Sequence, residues 1–178
     1  LTYTWEQNDV QVATTPNYNS YPQSTWTNGP LYRSLPPSVS PTRYFPAFET
    51  VLEGSLSSTW EVTPSVSREL NFAFTARDNG SGNFGNDGVG QLASDTAKVT
   101  VIDTGDPFEV TSQNIENQML VSGSTESVTW NVAGTTGSEI NSQYVDIMLS
   151  TDGGETFGVT LGNNVENNGY YEFEVPNI

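Results

Sequence analysis

Hydrophobic and polar residues alternate along much of this chain, and helical periodicity is hard to find. In LNFAFTAR, Leu70, Phe72, Phe74 and Ala76 share one face, with Asn71, Thr75 and Arg77 on the other. AKVTVIDT alternates around Val99 and Val101, SVTWNV around Val128, Trp130 and Val132, and YVDIMLS around Val145, Ile147 and Leu149. YYEFEV turns Tyr171, Phe173 and Val175 inward and leaves Glu172 and Glu174 outside. A period of two over short runs, broken by Gly, Asn, Asp and Ser clusters, predicts antiparallel strands packed on one face. The expected fold is all-β, with Phe72, Phe74, Val99, Val128, Trp130 and Ile147 in the core.

The clearest break is IDTGDPF, residues 102–108. A strand pattern ends at Ile102, turn residues follow, and FEVTS opens a new strand. Two domains are expected, 1–104 and 105–178, the second without a clear last strand. Seven of the ten prolines lie between Pro16 and Pro46, among Tyr18, Tyr21, Trp26, Tyr32, Tyr44 and Phe45. Proline cannot donate to a sheet ladder, so residues 14–48 are not sheet interior. Their aromatics are too many for disorder. A long ordered loop across the first domain is expected, held by aromatic burial and pinned by Arg33 and Arg43 through carboxylates or stacking. The alternative is a sugar-stacking platform on Trp26, Tyr21 and Tyr32, since loops of this length often carry function.

Composition removes whole classes of chemistry. The 178 residues include no cysteine and no histidine. Disulfides, thiolate or imidazole zinc sites and imidazole-based triads are therefore excluded for this chain. Catalysis would need paired carboxylates, or a serine beside Lys98, the one lysine. Net charge is −16, which disfavours nucleic acid and anionic membranes. It is also uneven: residues 1–104 carry ten acids and all five bases, whereas 105–178 carry eleven acids and no base. No run approaches the roughly 20 apolar residues of a membrane span, and no signal peptide is recognisable. The chain opens on Leu1 and stops at EVPNI, straight after a strand pattern. The expectation is a piece excised from a longer protein.

Two loops invite a metal or catalytic reading. STDGGETF, residues 150–157, has the S-x-D-x-G-x-T-aromatic pattern of an Asp box, in which Asp152 accepts backbone N–H groups and Ser150 and Thr156 tie the turn. In sialidase-like propellers this box repeats away from the catalytic centre; here it occurs once and predicts a hairpin. TARDNGSGNFGNDGVG, residues 75–90, fails the EF-hand template from Asp78 and from Asn83, because oxygen ligands are missing at the required steps. A calcium ion gathering Asp78, Asp87 or Asp95 with carbonyls is admitted, not required. Carboxylates beside tryptophan, Glu6 and Glu61, are the places where desolvation would raise an acid, but no spacing selects a catalytic pair.

SRELNFAFTARDNG followed by TAKVTVIDTGDPFEV resembles the last two strands and the junction of a cadherin repeat. That resemblance implies calcium on Glu69, Asp103 and Asp106, to which Asp78 is added as a contributor, although TGDP is shorter than the family linker and lacks its asparagines. A wider resemblance runs through LTYTWEQND, NGPLYRSLPPSVSPTRYFP, TWEVTPSVSRELNFAFTARDN, DPFEVTSQN, VTWNVAGT and VDIMLSTDGGETF, in that order. It is similar to the region after the catalytic domain in secreted reprolysin-like zinc metallopeptidases of Bacteroidetes-type bacteria. What it implies is two tandem immunoglobulin-/cadherin-like β-sandwiches, extracellular and non-catalytic. Their partners would be an upstream catalytic domain and neighbouring modules, with an extracellular protein or polysaccharide as the thing bound. The family's HExxH zinc site has no counterpart here. No cofactor is required; calcium is the one the junction would take.

Overall fold

The computed structural model describes residues 1–10, 21–80, 90–115 and 117–178. The loop 81–89 with its Asp87, and the start of the proline-rich segment with Pro16 and Tyr18, lie outside the described residues. Strands dominate, in keeping with the all-β expectation. They are β1 (Thr2–Gln7), β2 (Arg68–Arg77), β3 (Leu92–Val101), β4 (Glu109–Val110), β5 (Thr125–Asn131), β6 (Tyr144–Leu149), β7 (Val159–Glu166) and β8 (Tyr170–Glu174). Among the described residues one five-residue helix, α1 (Phe48–Leu52), accompanies them. The chain forms two compact units, Leu1–Ile102 and Asp103–Ile178.

The first unit holds one antiparallel sheet in the order β1-β2-β3. Trp5 pairs with Phe74 and Gln7 with Phe72 across β1 and β2; Leu70 pairs with Val99 and Phe72 with Ala97 across β2 and β3. Residues on alternate positions share a face, so Leu70, Phe72 and Phe74 line up as the alternation predicts. Among the described residues no second sheet covers them. The covering layer is the irregular segment 21–66, which supplies Leu31 and Tyr32 to a core with Leu70 and Phe72, while Trp5, Trp26, Phe45 and Val101 pack around it. Phe45 stacks on Phe72 with centroids 4.7 Å apart and meets Tyr32 edge-on at 5.1 Å. Leu31 is fully buried, and truncating such a leucine to alanine costs about 2–5 kcal/mol.

Val99 is not core: it is 46% exposed. β3 is an edge strand, and nearly all of it is open on both faces. Among the described residues of β3 only Val101, at its end, packs against this core, so Val99 faces water although its alternation is right. Asp95 and Lys98 put charges along that edge, the usual guard against strand-to-strand association.

The second unit has two small sheets, β4-β5-β8 and β6-β7. Val128, Trp130, Phe173 and Val175 are buried, and Val145, Ile147, Leu161 and Val165 pack against them. Phe173 and Val175 are inside while Glu172 and Glu174 are exposed, as the strand period requires. Gly162, opposite Ile147, is the one residue that fits its place: a Cβ there would lie 2.7 Å from Val165 Cγ2 and 2.9 Å from Tyr171 Cε1.

A buried amide completes this core. Asn167, 4% exposed, accepts the Trp130 Nε1–H through Oδ1 at 2.7 Å. Its Nδ2 donates to Thr135 Oγ1 at 2.9 Å and to the Ser142 carbonyl at 2.8 Å. Asn167→Leu strands the buried indole N–H and a carbonyl without partners, each costing about 1–3 kcal/mol. The expected result is a loss of roughly 2–4 kcal/mol in urea unfolding. A change under half a kilocalorie would show that Asn167 is not a structural tie.

Candidate functional site

The two first-unit carboxylates marked for calcium, Glu69 and Asp78, stand apart in that unit. Glu69 lies on the open face of β2 and takes the Lys98 ammonium at 2.7 Å, both side chains 56% exposed. Asp78 follows the end of β2, where its Oδ1 accepts the N–H of Gly80 at 3.2 Å and of Gln91 at 2.8 Å. Nine residues of extended strand separate the two, about 30 Å, which rules out a shared ion. Asp103 and Asp106 belong to the second unit. There Asp103 Oδ1 caps the Gly105 N–H at 2.9 Å, and Thr104 Oγ1 donates to the Asp106 carbonyl at 2.9 Å. Among the described residues no three acidic side chains come close enough to hold a cation.

Arginines in the first unit act on the backbone. Arg43 Nη2 donates to Glu61 Oε1 at 2.6 Å and to the Arg33 carbonyl at 2.6 Å, and Nη1 donates to the Trp5 carbonyl at 2.5 Å. Its guanidinium sits 4.3 Å from the Phe45 ring centroid. Glu61, 3% exposed, spends its other oxygen on the Ala47 N–H at 2.7 Å. The carboxylate beside Trp60 is thus tied at both oxygens. Arg33 is exposed and contributes its carbonyl; the pinning expected of both arginines falls to Arg43.

Arg68, next to Glu69 in sequence, opens β2. It is 7% exposed and donates to the carbonyls of Trp26 at 2.8 Å and Gly29 at 2.7 Å. Asp9 Oδ2 lies 3.6 Å away. Burial lowers the Arg68 pKa, opposed by the nearby Asp9 charge. Asp9 also accepts from Asn71 Nδ2 at 2.7 Å, and Gln7 Oε1 receives the N–H groups of Leu31 and Tyr32 at 2.6 and 3.0 Å. The signal that could have revealed this was a basic residue opening a strand whose alternate positions are all apolar.

The three ring candidates fare differently. Tyr32 is buried between Phe45 and Phe72, and burial raises its phenol pKa, so no ring face is left for a ligand. Trp26 packs half-buried against the core. Tyr21 is 44% exposed and meets Trp60, 40% exposed, at 4.6 Å between centroids. Trp60 is the ring that sequence reasoning did not assign to this platform. It is separated from Tyr21 by nearly forty positions, and only the folded segment brings them together.

The Asp box is a self-sufficient turn between β6 and β7. Asp152 accepts from Thr156 Oγ1 at 2.6 Å, the Thr156 N–H at 2.9 Å and Ser150 Oγ at 2.7 Å. Ser150 Oγ also accepts the Gly154 N–H at 2.7 Å. These donors, the Thr156 hydroxyl first, hold the Asp152 pKa down to about 2. Comparison with protein-family models, with curated proteins and with solved structures returns no match.

Two outcomes follow from these contacts. A carboxylate with a depressed folded pKa adds stability that is present above its unfolded pKa, near 4, and lost as pH falls through the folded value. The Asp152 carboxyl should therefore titrate near 2 by NMR, and in Thr156→Val the midpoint should move up towards the ordinary range; an unmoved midpoint would remove the hydroxyl as the main cause. In the first unit, Arg43→Met leaves Glu61 buried without its cation, at a cost of about 3–5 kcal/mol. Adding Glu61→Met should restore part of that in urea unfolding, and strict additivity of the two changes would show that the pair is not coupled.

Proposed function

We propose that this chain is a non-catalytic accessory region of a secreted bacterial zinc metallopeptidase. In this reading its two units are tandem immunoglobulin-/cadherin-like modules that space, stabilise or dock the catalytic domain. The observation that carries it is how the perturbed titratable groups are employed. Among the described residues, Tyr32, Arg68, Asp152 and Tyr170 are the groups with shifted pKa values. Active sites bring such groups to one cleft with pKa values pushed apart. Here Tyr32 and Arg68 anchor the first unit's covering layer, Asp152 ties a turn, and Tyr170, raised first by desolvation and then by Glu172, lies on β8. The acidic surface suits an extracellular setting where cations screen it, and calcium is no requirement of this reading.

A second reading rests on the exposed Tyr21–Trp60 pair, whose rings could stack on a sugar face. Retention on insoluble polysaccharide that is lost in Trp60→Ala, with unchanged melting, would favour it. For the leading reading, the coding sequence upstream of Leu1 should carry HExxH, and the isolated chain should leave casein and aryl glycosides at buffer rates. An upstream region without a protease domain, or turnover abolished by Glu61→Gln at unchanged stability, would overturn it.

A further inference from the structure

The two sheets of the second unit close on one side only. On the β7–β8 side they are joined, with the Tyr171 hydroxyl donating to the Leu161 carbonyl at 3.4 Å. On the side of β4 and β6 lies an apolar cleft of about 650 Å³. Trp130 and Phe173 form its buried wall, and Phe108, Val110 and Phe157 stand at its mouth, 47%, 59% and 48% exposed. So much apolar surface around one opening costs free energy in water and marks a place that another element covers.

The kind of occupant follows from β6. All five residues from Val145 to Leu149 line the cleft. Successive side chains of a strand point to opposite faces, so a cleft touched by five in a row runs along the strand's edge. Among the described residues β6 pairs with β7 alone, which leaves that edge's N–H and C=O groups to an added strand. Asp146 is no obstacle, since its Oδ1 is turned back to accept the Asn164 N–H at 2.8 Å. The facing edge, on β5, is already capped: Ser112 Oγ accepts the Thr129 N–H at 2.8 Å, and Gln113 Nε2 donates to the Ser127 carbonyl at 2.9 Å. Charge selects further. From Asp103 to Ile178 there are twelve acids and no Lys or Arg. A second copy would bring the same sign of charge, whereas a cationic strand is drawn in.

We propose that this cleft takes an extended segment of another protein as an added strand on β6. Its alternate side chains are apolar and fill the cleft, and Lys or Arg residues lie between them, drawn in by the unit's twelve acids. The inference concerns the second unit and does not use the aromatic pair or the protease parentage.

The test uses the full chain and a labelled, end-blocked peptide of about six residues, a common strand length, alternating Val and Lys. Binding is followed by fluorescence anisotropy at low salt, and by NMR shifts of the backbone amides. Saturable binding that shifts the amides of residues 145–149 is expected. An Ala–Lys peptide of equal charge should bind roughly tenfold more weakly or worse, and Val110→Asp should weaken the Val–Lys peptide by a similar factor. Val110 is exposed, so its melting temperature should hold; if it drops, the Ala–Lys comparison decides. Equal binding of both peptides would reduce the effect to general attraction by an acidic surface and overturn the proposal. Shifts confined to other residues, or self-association of the chain through the same cleft in sedimentation, would overturn it too.

Discussion

An irregular segment laid across a sheet must find partners for its backbone polar groups, and everything in the first unit depends on how this is done. Residues 21–66 contain one short helix and a few isolated bridges, so no ladder satisfies them. Buried amide and carbonyl groups left unpaired cost as much as lost hydrogen bonds. Long polar side chains take the ladder's place. Gln7 accepts the N–H groups of Leu31 and Tyr32, Arg68 takes the carbonyls of Trp26 and Gly29, Arg43 takes those of Trp5 and Arg33, and Glu61 takes the Ala47 N–H. Only with those bonds made does burial of Leu31, Tyr32 and Phe45 become favourable, because the apolar gain is no longer offset by stranded polar groups.

The second unit solves the same problem without a cation. Its sequence holds no Lys or Arg, so buried carbonyls and indole nitrogens must be met by neutral groups. Asn167 ties Trp130 to the loop at Thr135 and Ser142, and Gln143 Nε2 donates to the Thr136 carbonyl at 2.6 Å. Ser112 and Gln113 cap the edge of β5, and hydroxyls with backbone N–H groups satisfy Asp152. Amides and hydroxyls are short and directional, so these ties are local. They hold loops to neighbouring strands and cannot span an opening as Arg43 spans three segments. This is a physical reason for the sheets to remain apart at the β4–β6 side.

The strands were legible because a period of two needs only local residues. Leu70, Phe72, Val128, Trp130 and Phe173 are all buried where alternation puts them. Coverage was not legible, because it depends on what lies above the face. Val99 alternates correctly and is exposed, since among the described residues of β3 only Val101 packs against the core. Tyr32 and Tyr21 look equivalent in a proline-rich run, yet one is 6% and the other 44% exposed. Carboxylate positions misled for a related reason. Glu69 and Asp78 are near in sequence, but an extended strand carries them to opposite ends of the sheet, whereas a helix of the same length would have kept them within about 14 Å.

Arg43 and Arg68 were harder still to assign, since a long side chain reaches whatever the fold brings to it. Their bonds go mainly to backbone carbonyls, which every residue has, so no residue pattern marks the acceptors in advance. The same indifference has a consequence for change in this segment. A carbonyl acceptor survives substitution of its own side chain, so the sequence of the covering layer is free to vary at Arg33, Trp26 and Gly29 as far as these bonds are concerned, limited by packing and backbone conformation alone. Gln7, Arg43, Glu61 and Arg68 have no such freedom, because a shorter or uncharged replacement leaves a buried partner unmet. Constraint in the first unit is therefore concentrated on the few side chains that reach, while the segment they hold supplies rings and loops to whatever the surface meets.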